Sequence, residues 1–217
     1  MGAGLHPSEF GLPKGPKNGI AKIATGADHC FAISKNGNVY AWGLNNMGET
    51  GIMENAGDDD ASIKPAQVVQ ALKGKNIVDI KGGSHHSIAA TEEGDCYVWG
   101  RMDGGQMGIE EETLAKLPEA DIIRDERGNR RILKVPQKVS AIKGPVVQVG
   151  AASDHCFAVT KEGKAWSWGF STNYQTGQGT TEDVEVAAMV DNTAIRERHI
   201  VAATCGGQYG IITSVAS

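Results

Sequence analysis

Three times in this chain a histidine is followed thirteen residues later by a tryptophan and then a glycine: His29 with Trp42-Gly43, His86 with Trp99-Gly100, and His155 with Trp168-Gly169. The spacing inside each copy is fixed. The spacing between copies is not, being 57 residues from Gly43 to Gly100 and 69 from Gly100 to Gly169. Invariant units separated by variable connections mark a repeat architecture whose loops lie on its faces. The copies agree around the histidine as well, reading Gly26-Ala27-Asp28-His29-Cys30-Phe31, Gly83-Ser84-His85-His86-Ser87-Ile88 and Ala152-Ser153-Asp154-His155-Cys156-Phe157.

Each unit is a series of short strands. In the first copy Ile20 to Ile23 is an apolar run, and Cys30 to Ile33 and Val39 to Trp42 flank Lys35-Asn36-Gly37-Asn38. Asn-Gly between apolar runs predicts a hairpin with a primed turn, its central residues at positive φ. Runs led by proline, Pro65 to Val69 and Pro136 to Val139, predict strands that begin at the proline, where no ladder bond is lost. Pro7 to Pro13 reads in the same way as the last strand of a preceding unit. The units are then 1–19 (end of a preceding repeat), 20–76, 77–145, 146–199 and 200–217 (start of a closing repeat). Between 110 and 134 lies a charged insertion, with about two helical turns expected over Glu110 to Leu117 and a solvated stretch after it. The fourth copy reaches Cys205-Gly206-Gly207-Gln208-Tyr209-Gly210 and has no second hairpin strand or Trp-Gly.

Several short strands per repeat, with glycines and an aromatic at fixed places, predict an all-β fold: a propeller of four-stranded blades. The 29 glycines follow no three-residue period, and 40% hydrophobic residues suffice for a core. Three full repeats are too few to close a ring, which needs about four or more blades. A partial β-propeller is therefore expected. It exposes apolar blade faces and is completed by missing sequence, a second polypeptide or self-association. A net charge of −5 argues against gripping a phosphate backbone and suits a basic protein partner. No membrane span or signal-peptide core is evident, so the expectation is a soluble intracellular protein. Cys30, Cys96, Cys156 and Cys205 include no C-x-x-C pair and are expected as free thiols.

The repeated histidines, His29, His86 and His155, are expected in structural roles, each hydrogen-bonded to a neighbouring turn. Trp42, Trp99, Trp166 and Trp168 are expected in the core. A metal site needs about four converging ligands, and here the His and Cys residues are dispersed one set per unit, so neither metal nor cofactor is expected. No G-x-S-x-G or G-x-x-x-x-G-K-[ST] occurs, which leaves a hydrolytic or metal-dependent site in the channel as a weak rival to a non-enzymatic role. Two residues break the repeat. His85 stands where the other copies carry Asp28, Asp154 and Gln208, and Arg101 stands where they carry Leu44 and Phe170.

The pattern G-x-x-H-x-x-A-[IVL], G-x-[VA]-[YW]-x-W-G, G-x-x-G resembles the regulator of chromosome condensation repeat. The order of Gly43 to Asn46, Gly82 to Ser87, Gly100-Arg101, Thr172 to Gly177 and Cys205 to Gln208 is similar to the C-terminal half of that family's seven-bladed ring. The resemblance implies about half of such a ring. It also implies a guanine-nucleotide exchange factor for the small GTPase Ran, bound through loops on one propeller face without covalent chemistry. The wedge that presses on the GTPase's phosphate-binding region belongs to the other half. His85, Arg101 and Asn46 match GTPase-facing positions, and Tyr209 stands where the family has another such histidine. The resemblance further implies a nuclear protein of nucleocytoplasmic transport and the cell cycle, with chromatin or histones as partners of the full-length protein. The rival reading within the family is an interaction scaffold without exchange activity.

Overall fold

A computed structural model describes residues 10–215, and its sheets are all antiparallel. The first has the order β1 (Ile20–Thr25), β2 (His29–Ser34), β3 (Val39–Leu44), β4 (Ser62–Val68). The second contains β5 (Ile77–Gly82), β6 (His86–Thr91), β7 (Cys96–Arg101), β8 (Ile122–Arg124) and β9 (Arg130–Lys138), in the order β5-β6-β7-β9-β8. The third has β10 (Val146–Ala151), β11 (His155–Thr160), β12 (Ala165–Gly169) and β13 (Val184–Met189) in sequence order, and the last pairs β14 (Ile200–Gly206) with β15 (Tyr209–Ser214). These are three complete blades and two strands of a fourth.

Successive blades pack face to face, so the middle strands are covered on both sides; β6 and β11 are buried along their whole length. This explains why they read as continuous runs of small and apolar residues rather than as a polar–apolar alternation. Between the first two blades the ring of Phe31 meets that of Trp99 edge-on at 5.8 Å among Ile33, Val39, Ile80 and Ala89. The next seam gathers Ile88, Val98, Leu133, Val149 and Trp168. Near the axis the glycines do steric work. A Cβ on Gly26 would sit 2.7 Å from the Gly83 carbonyl oxygen, so only a residue without one lets the two turns meet.

The innermost strands are tied by their third residue. Lys22 reaches Asp79 at 2.7 Å, the other Asp79 oxygen accepts from the Val149 N–H at 3.1 Å, and Gln148 both donates to and accepts from the Ala203 backbone at 2.7 and 2.9 Å. Lys22, Asp79 and Gln148 are different residue types at one register position, each reaching the following blade.

Several local expectations are corrected. The β2–β3 hairpin does not use a primed turn. Gly37 takes φ +81° while Asn36 stays negative, and Ser34 N–H donates to the Asn38 carbonyl, which is a type I turn closed by a glycine bulge. Gly94 and Gly163 repeat it. The outer strands begin before their prolines. Pro65 and Pro136 lie inside β4 and β9, where the register shifts between Ala41 and Gly43 and between Val98 and Gly100, so each proline occupies a bulge. The expected two-turn helix is one turn, α1 (Glu111–Leu114); Glu110 provides no side-chain cap and Pro118 restricts continuation. The rest of 110–134 is solvated only in part, with 126–129 exposed as expected. It folds as the β8–β9 hairpin on the outer edge of the second blade and buries Ile122, Ile132 and Leu133. Of the strand expected over Pro7 to Pro13, residues 7–9 lie outside the described residues and 10–13 form a turn and irregular chain rather than a strand. Phe10 accepts a backbone hydrogen bond from Ala66 and packs edge-on to Trp42 at 5.2 Å.

Candidate functional site

Because the strands alternate in direction, the segments 26–28, 45–61, 83–85, 102–121, 152–154, 170–183 and 207–208 all emerge at one end of the blades. His85, Arg101 and Asn46 are among them or at their edge. His85 and Arg101 are tied through the main chain, the Arg101 N–H donating to the His85 carbonyl at 2.8 Å. Leu44 with Asp28 and Phe170 with Asp154 repeat that bond. It requires the preceding glycine: Gly43, Gly100 and Gly169 adopt φ of +103°, +105° and +101°, and a Cβ on any of them would come within 2.6 Å of that same carbonyl oxygen. The shared backbone device presents whatever side chain follows Trp-Gly beside whatever precedes the repeated histidine.

At the first seam His85 joins Glu49 in a pair that sequence reading missed. His85 Nδ1 lies 3.1 Å from Glu49 Oε1, and the other carboxylate oxygen accepts from the Met47 N–H at 2.9 Å. Glu49 is fully buried, whereas the His85 side chain is 33% exposed. Glu49 occupies the register of Gln106 and Gln175, six residues after the Trp-Gly glycine in every copy. At the second seam Gln106 Nε2 donates to Asp154 Oδ1 at 3.1 Å while its Oε1 accepts from the Gly104 N–H at 2.8 Å. The two seams thus have opposite polarity, carboxylate to imidazole at the first and amide to carboxylate at the second. The backbone carbonyls of the same residues receive the tryptophans of the next blade, Trp99 Nε1 donating to Glu49 and Trp168 Nε1 to Gln106, each at 2.8 Å.

Two of the three repeated histidines, His29 and His86, bridge blades, which corrects the expectation that each bonds a neighbouring turn. His29 Nε2 lies 2.8 Å from Ser87 Oγ, and His86 Nε2 lies 3.1 Å from Cys156 Sγ. Ser87 commits its one proton to the Glu49 carbonyl at 2.8 Å, so His29 Nε2 must be the donor to it. Burial, reinforced by neighbouring histidines, pushes both imidazoles down to about 3, so both are neutral. At the third seam the matching residue is Gly210, which has no side chain, and neither ring nitrogen of His155 has a hydrogen-bond partner. Burial lowers its pKa too, opposed by the charge of Asp154.

The other candidates separate. Arg101 Nε is paired with the Asp103 carboxylate, both side chains well exposed. Asn46 is half-buried, its Oδ1 enclosed without a partner. Tyr209 does not stand in the register of His85; Gln208 does, accepting from Asn173 Nδ2 at 2.9 Å. Tyr209 holds the register of His29 and His86, its ring over Gly206 as the imidazoles lie over Gly26 and Gly83. Among the described residues no three His, Cys, Asp or Glu side chains converge as metal ligands. The four cysteines are free, and burial pushes the Cys156 thiol well up.

Comparison with known proteins places this geometry. A family model described as the RCC1-like domain matches residues 3–212. Protein pim1 of Schizosaccharomyces pombe is 40% identical over 98% of this chain, and the guanine nucleotide exchange factor SRM1 of Saccharomyces cerevisiae is 34% identical over 95%. The chain spans 38% and 41% of their respective lengths. The crystal structure of Prp20p from Saccharomyces cerevisiae, described together with its binding to Gsp1p and histones, superposes with a TM-score of 0.84 at 33% identity. That superposition covers 91% of this chain and 44% of Prp20p.

Proposed function

This chain belongs to the RCC1-like domain family, and from that premise we propose that it supplies part of the propeller of a guanine-nucleotide exchange factor for the small GTPase Ran. The observation that carries the reading is the main-chain bond joining Arg101 to His85 at the loop-bearing end that also carries Asn46, in a chain similar to a named exchange factor over 95% of its length. Exchange needs no covalent chemistry. A surface that binds the nucleotide-free GTPase more tightly than the loaded form lowers nucleotide affinity by the same factor, since the coupling is reciprocal. Arg101, an arginine beside a partly exposed imidazole, has the character of an interface anchor. The net charge of −5 favours a basic second partner such as histones, and a nuclear site of action accords with it.

The test is release of a fluorescent guanine nucleotide from Ran by the protein that carries these blades in a closed ring. His85→Ala and Arg101→Ala are each expected to lower kcat/KM about tenfold, the effect of losing roughly 1.4 kcal/mol at an interface. No stimulation by the unaltered protein would leave the interaction scaffold as the reading. Full activity in both variants would dismiss the site while sparing the function.

A further inference from the structure

His85 is the one residue in its register that can present either of two nitrogens, and only one of them is free to meet a partner. The buried Glu49 carboxylate holds Nδ1, and its own second oxygen is held by the Met47 N–H, so the acid is clamped at both oxygens. An ionised carboxylate can only accept, so opposite it Nδ1 is the nitrogen that carries the proton. Nε2, the atom farther from the clamp, belongs to a side chain that stays partly exposed at the loop-bearing end. The equivalent glutamines show what the chain does without this arrangement: Gln106 keeps the backbone clamp through Oε1 and turns its amide N–H toward the next blade.

We propose that Glu49 is a positioning residue for the GTPase-facing imidazole, fixing the proton of His85 on Nδ1 and so dictating that Nε2 is the nitrogen offered to the partner. This rests on the exchange reading for its consequence and on Glu49 alone for its mechanism. A residue that merely packed the seam would not need an acid: glutamine fits the same backbone clamp twice in this fold. Replacing Glu49 by glutamine should therefore preserve the seam but reverse its polarity. Oε1 would take the Met47 N–H, the amide N–H would point at Nδ1, and the proton would be driven to Nε2. That exchanges the hydrogen-bonding character of the atom the partner meets.

The experiment has two arms, both on the protein with its ring complete. In the first, Ran nucleotide exchange is measured for the unaltered protein, Glu49→Gln, His85→Ala and the double variant. Glu49→Gln is expected to raise KM for the GTPase between about twofold and tenfold, the range of one hydrogen bond. Its kcat should be retained and its melting temperature held within about 2 °C. In the His85→Ala background the same substitution should change nothing further. An unchanged KM, a lowered melting temperature that accounts for the loss, or additive effects in the double variant would each overturn the proposal. In the second arm, proton–nitrogen correlation on 15N-histidine protein reads the ring directly. His85 should carry its proton on Nδ1, and Glu49→Gln should move it to Nε2. A neutral ring protonated on Nε2 in the unaltered protein overturns the proposal. If the unaltered protein stimulates no exchange, the exchange reading fails and the second arm alone decides the positioning role.

Discussion

Lowering the pH should unfold this protein through its inter-blade histidines. His29 and His86 have pKa values depressed from 6.5 to about 3 by burial. Above 6.5 the folded and unfolded chains both hold neutral rings and no linkage exists. Between 6.5 and about 3 the unfolded chain binds a proton at each ring and the folded chain does not, so stability is lost as pH falls across that window. Each ring adds a slope of about 1.4 kcal/mol per pH unit, and the pair about 2.7. At pH 5 this amounts to about 2 kcal/mol per histidine, or about 4 for the two. The assay is urea denaturation at half-unit steps from pH 7 to pH 4, comparing the unaltered protein with His86→Gln. The substitution shifts the whole curve by an amount that does not matter to the reasoning. What matters is that the variant's slope between pH 5.5 and 4 should be shallower by about 1.4 kcal/mol per unit. Carboxylates titrate alike in both proteins and cancel. Parallel curves would refute the claim that His86 is buried neutral at a blade seam.

The third blade offers a second check, because Cys156 stands opposite His86 as Ser87 stands opposite His29. Cys156→Ser should cost under about 1 kcal/mol, whereas Cys156→Ala should cost about 1–3 by leaving Nε2 unpartnered; equal melting temperatures for the two would show that the sulfur makes no useful contact. At the axis, Asp79→Ala strands the buried Val149 N–H at a cost of about 1–3 kcal/mol, while Lys22→Ala, which removes only the exposed partner, should cost under about 1. Hydrogen exchange at the Val149 amide should accelerate in the first variant and not in the second, and an amide still protected without Asp79 would contradict the assignment.

The blades were legible because the fixed spacing of His and Trp-Gly is a spacing imposed by the strands themselves: His29, His86 and His155 pair with Gly43, Gly100 and Gly169 across a hairpin of constant length. What escaped had no such period. The β8–β9 hairpin is shielded from recognition by Asp125 to Arg131, a run whose charge reads as solvent, although Ile122 and Leu133 on either side are core. The histidine partners escaped for a different reason. Ser87 and Cys156 belong to the next repeat, more than 50 residues away, and no pattern within one copy announces a bond between copies. Glu49 was within reach. Aligning the copies on Trp-Gly puts it opposite Gln106 and Gln175, a charge at a neutral position and hence a second departure matching His85.

That match changes how a departure from a repeat should be weighed. A residue that breaks the pattern invites a functional reading only to the extent that the fold does not already explain it. His85 is explained in part, since Glu49 breaks the pattern with it and the two meet at 3.1 Å across a seam where Gln106 and Asp154 meet otherwise. Arg101 also has a companion, Asp103, but that pair is exposed on both sides, and a surface ion pair contributes only about 0–1 kcal/mol. Stability therefore does not account for an arginine where Leu44 and Phe170 stand in the other copies. An apolar residue there would leave the bond to the His85 carbonyl intact, because that bond is made by the main chain. By this reckoning Arg101 is the less compensated of the two departures and the stronger claimant to a partner. Its replacement by leucine, the residue the first copy uses, should leave the melting temperature unchanged and weaken GTPase binding about tenfold in a titration, and undiminished binding would refute the claim.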